Sequence, residues 1–184
     1  MSQAGTTCPT IAEDALADAF SRTTAWQALT GSADETEALQ KIYFNSQPLP
    51  VDNNAFTLDE LLERGVAMLI LMDTEEGFVV TPGEAQGVVY EGGRVLAIIE
   101  RWIPESEQND PAVDQNRYLL DKIVDMMVDA TDYLLSTKGQ RWMQPMRLVQ
   151  PPLLNEDDES QVKGRWQQAT IAMNWGQNGE STSE

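Results

Sequence analysis

The sequence predicts an α+β domain: a mostly antiparallel sheet of about 4–6 strands packed with one long helix, an N-terminal helix and a short helix. Three observations carry this. Val66-Ala-Met-Leu-Ile-Leu-Met72 is apolar without alternation, as in a strand covered on both faces. From Arg94 to Ile103, residues Val95, Ala97, Ile99 and Ile103 share one face while Leu96, Ile98 and Trp102 share the other. Between Pro111 and Lys138, apolar residues recur every three or four positions.

The elements follow in order. Residues 1 to 9 are small and polar and read as a flexible N-terminus, ahead of a single domain over 10–175. Thr10 and Glu13 have the spacing of a capping box, and Ala12, Leu16, Ala19, Phe20, Trp26 and Leu29 continue an apolar stripe, which predicts a helix over 11–29. Ser32 to Glu37 is acidic and loop-like, and Leu39 to Phe44 fits helix or strand. Thr57-Leu-Asp-Glu60 is a second capping box, and Gly65 suits a helix stop, giving a short helix over 58–64. The strand from Val66 should lie centrally in the sheet.

Glu75-Glu-Gly77 and Pro82-Gly83 are turn signals that set off Phe78–Thr81 and Val88–Tyr90 as short, partly exposed strands or an excursion, and Glu91-Gly-Gly93 opens the strand that Pro104 ends. Asn109-Asp-Pro111 then caps the long helix over 111–138, whose stripe is Leu119, Ile123, Met126, Met127, Ala130 and Leu134. Met146 to Val149 reads as a short strand halted by Pro151-Pro152, Asn155 to Ser160 as a charged loop, and Val162 to Trp175 as the closing strand. The Gly, Asn, Ser and Glu tail over 176–184 has nothing to bury and reads as disordered.

Composition narrows the function. The chain has 184 residues, no histidine and one cysteine, Cys8, which disfavours metal, triad and thiol chemistry and leaves the expectation of a protein that is not an enzyme and needs no cofactor. A lone cysteine points to a reducing compartment, and no apolar run reaches membrane-spanning length. Thirty acidic against twelve basic residues give a net charge of −18, which repels phosphate backbones and anionic lipid.

Asp121, Asp125, Asp129 and Asp132 recur every three or four residues and share one face of the long helix, opposite the apolar stripe. That face reads either as a solvated surface or as an anionic wall. Asn155-Glu-Asp-Asp-Glu159 lacks the alternation and central glycine of a calcium loop, so no metal site is assigned. The glycines between Gly83 and Gly93 do not open a helix and so cannot cradle a phosphate. Trp26, Trp102, Trp142, Trp166 and Trp175 lack the basic groove that accompanies base stacking, and read as core or interface anchors.

Taken together, Val66 to Met72, Arg94-Val-Leu-Ala-Ile-Ile-Glu-Arg-Trp-Ile-Pro104, the helix from Pro111 to Lys138 and Gly164-Arg-Trp-Gln-Gln-Ala-Thr-Ile-Ala-Met173 resemble the tail terminator proteins of long-tailed phages, within the wider set of tail-completion and neck proteins. The resemblance spans about residues 57 to 175. It implies a structural virion protein located in the neck or tail, made in the host cytoplasm. Its subunits would form a homohexameric ring that caps the tail tube protein and meets the head–tail connector. DNA would pass through an acidic lumen without specific binding, and no membrane would be involved. Asp121, Asp125, Asp129 and Asp132 are then candidates for lumen or inter-subunit charge, and Leu96, Ile98, Trp102, Trp166 and Trp175 for the assembly surface. The alternative from a different class is an acidic regulatory protein, a DNA mimic filling the basic groove of a nucleic-acid enzyme.

Overall fold

The N-terminal stripe folds as two helices, α1 (Cys8–Ser21) and α2 (Thr24–Thr30), where the spacing alone predicts one. Thr23 breaks it. Its backbone is extended (φ −72°, ψ 134°), and its hydroxyl donates to Phe20 O at 2.9 Å while accepting from Trp26 N at 3.2 Å, so one side chain closes α1 and opens α2. In this computed structural model the described residues are 8–44, 65–73, 78–82, 88–103, 107, 110–138, 143–156 and 165–175. Helix α1 already starts at Cys8, so Thr10 lies inside it and Glu13 is a buried second-turn residue instead of a capping partner. Gly31, at φ +65°, ends α2 by donating its N–H to Gln27 O, in a left-handed conformation that costs glycine little.

The stretch expected as an acidic loop holds a third helix, α3 (Glu35–Leu39). Asp34 caps it, its carboxylate accepting from Thr36 N and Glu37 N, each at 2.9 Å, while the Glu37 carboxylate accepts from Ala33 N at 2.8 Å. The ambiguous run after it resolves into the end of α3 and strand β1 (Ile42–Phe44). The expected short helix over 58–64 lies outside the described residues, as do 1–7, Trp142 and the tail over 176–184.

Among the described residues six strands form one sheet in the order β1-β2-β4-β6-β5, with β3 paired to the first half of β4. They are β1, β2 (Val66–Met72), β3 (Phe78–Pro82), β4 (Val88–Trp102), β5 (Met143–Glu156) and β6 (Arg165–Trp175). Only β1 with β2 is parallel among these pairings. Strand β2 is internal, as expected, and Val66 to Ile70 are all buried.

Two turn signals do not act as turns. Gly92 and Gly93 continue β4, facing Val79 and Phe78 across the ladder, because β4 is long enough to pair with β3 at one end and with β2 and β6 at the other. Pro151 and Pro152 fall inside β5, which runs on to Glu156. That strand is the sheet edge, where one rim of N–H groups has no ladder partner, and its register shifts around Gln150 absorb the prolines. The run read as a charged loop from Asn155 therefore begins as strand; residues 157–160 lie outside the described residues.

Helix α4 (Ala112–Lys138) matches its predicted span. It packs on β5 and on α1 and α2, with Leu119, Ile123, Met126, Ala130 and Leu134 buried. They join Leu16, Phe20 and Trp26 of the N-terminal helices, Met68 and Ile70 of β2, Val95, Ala97 and Ile99 of β4, and Ile171 and Met173 of β6 in one core on the helical side of the sheet. Each fully buried aliphatic side chain contributes roughly 1.5–3 kcal/mol, which is what holds helices and sheet in register.

Candidate assembly surface

Strand alternation puts Leu96, Ile98, Glu100 and Trp102 of β4 on the sheet face away from the helices. Across the ladder these meet Ala172, Thr170, Gln168 and Trp166 of β6, and on the other side Leu71, Leu69 and Ala67 of β2. Four of the five predicted surface residues therefore share this face, with Trp102 directly opposite Trp166, and Leu96, Ile98, Trp102 and Trp166 are each half-buried. Trp175 is not one of them by position: it ends β6 opposite Gly93, at the alternate parity.

The centre of that face is polar. Glu100 is fully buried and accepts from Gln168 Nε2 at 2.7 Å; Gln150 Nε2 donates to Gln168 Oε1 at 3.4 Å, and Thr170 donates to Gln150 Oε1 at 3.3 Å. This chain ties β4, β6 and β5 together across the sheet and satisfies a carboxylate that burial would otherwise penalise heavily. Sequence reading missed Glu100, since one acidic residue in an apolar strand carries no signal of its partners.

On the helical side, Asp121, Asp125, Asp129 and Asp132 are all exposed along α4. Asp125 and Asp129 border an open cleft of about 230 Å³ with Lys122, Val128 and Thr24, while Asp121 and Asp132 do not line it. The row thus spans helix surface and cleft wall. Among the described residues no three acidic or sulfur ligands converge on a point that could hold a metal ion. No described helix is long and apolar enough to cross a membrane.

Arg101 anchors the start of α4. Its side chain is nearly buried, and Nη1 donates to Gln115 Oε1 (3.1 Å) and Gln167 Oε1 (3.2 Å) while Nη2 donates to Glu107 Oε2 (2.8 Å). The guanidinium also lies 4.9 Å from the Tyr118 ring centroid. A second network joins α1, α3 and α4: Arg22 donates to Asp18 and Glu35 at 3.0 and 2.7 Å, and Tyr133 donates to Asp18 at 2.7 Å. The hydrogen bond to Asp18 raises the Tyr133 hydroxyl above the usual phenol range. Both networks fix elements against one another.

Sequence reading also missed a second apolar stripe on α4. Val113, Val124, Val128 and Leu135 are 60, 48, 55 and 39% exposed. They lie off the core stripe and among aspartates, but their separations of 11, 4 and 7 residues, each close to a whole number of helical turns, are in the sequence. Comparison with protein-family models and with curated proteins finds no match.

Proposed function

We propose that the chain is a structural subunit that works by assembling into a ring, in the manner of a phage tail terminator or neck protein, with an acidic lumen through which DNA passes unbound. The observation that carries the reading is the aspartate row. Four carboxylates stand exposed over eleven residue steps of α4, about 16 Å, on a chain of net charge −18, with no cation interleaved in the row except the flanking Lys122. Such a wall repels a phosphate backbone at every point and offers it no holding contact. Support also comes from Leu96, Trp102 and Trp166, which stay only partly buried on a face where Ala67 and Leu69 are buried and Ile98 packs against them.

The test is the mass and shape of the purified chain. Light scattering should give a multiple of 20.5 kDa consistent with a hexamer, and electron micrographs should show rings with an open centre, alone or after addition of a tail tube protein. A strict monomer under all these conditions refutes the ring. Capture of a nuclease, polymerase or repressor through its basic groove would select the DNA-mimic alternative.

A further inference from the structure

We draw no further inference here: the strongest candidate, the exposed apolar flank of α4 formed by Val113, Val124, Val128 and Leu135 beside the aspartate row, carries none, because nothing in the structure shows what covers it.

Discussion

Replacing Arg101 with methionine tests how the sheet holds the start of α4. The methylene stem is kept, so the loss falls on the guanidinium. Three acceptors lose their donor: Gln115 and Gln167, both buried, and Glu107, whose side chain is 40% exposed. Water can reach Glu107, so its share is that of a screened surface pair, about 0–1 kcal/mol. The two amides are left with unsatisfied oxygens at about 1–3 kcal/mol each, partly offset by apolar burial of the methionine. The expected net cost is about 3 kcal/mol, or about 6–12 °C in Tm for a chain of this size. Urea denaturation with unchanged m should report it, and Glu107→Gln alone should cost about 1 kcal/mol or less. If Glu107→Gln costs as much as Arg101→Met, the ion pair dominates and the amide argument fails.

Trp26→Phe keeps most of the volume of a fully buried ring but removes the Nε1 donor to Ala38 O at 3.0 Å, leaving that carbonyl at the end of α3 to the Lys41 N–H at 3.2 Å. The lost bond should cost about 0.5–1.5 kcal/mol in the same denaturation assay, and an unchanged stability would show that the indole N–H contributes nothing. Glu13 titrates above the usual carboxylate range, first because burial disfavours its charge and second because Asp14 is near. An acid raised in the folded state opposes folding once ionised: the cost is full above the raised value and absent below the ordinary glutamate value. Glu13→Gln should therefore raise Tm at neutral pH, with the gain fading as pH falls through the glutamate range; a gain that is independent of pH would refute the cause. Gly31→Ala meets no atom within 4 Å of the added Cβ, so its cost should be the left-handed backbone alone, about 1 kcal/mol, and Gly31→Asn should cost less.

The elements legible in the sequence were those whose burial writes a period into the chain. Helix α4 shows a stripe and its caps, and β2 shows an unbroken apolar run, because tertiary cover forces both patterns. What misled were local signals overruled by context. Thr23 is an ordinary residue in a helical stripe until its hydroxyl bonds both ways, and Asp34 with Glu37 turns a run that composition marks as loop into α3. Gly92-Gly93 and Pro151-Pro152 are turn and stop signals that a long central strand and an edge strand can each absorb.

The candidate surface divides in the same way. The alternation of β4 placed Leu96, Ile98 and Trp102 together, and pairing with β6 added Trp166, yet Trp175, one aromatic among several at the strand's end, has the other parity. Glu100 could not be read at all, because its acceptability depends on Gln168 from a strand sixty-eight positions away. The second apolar stripe of α4 is the instructive middle case. Its valines obey helical spacing as strictly as the core stripe does, but two apolar stripes about 120° apart blur into one amphipathic pattern. Only the exposures separate them: Met126 is fully buried while Val124, two residues earlier, is half exposed, so packing against the sheet accounts for one stripe and not for the other.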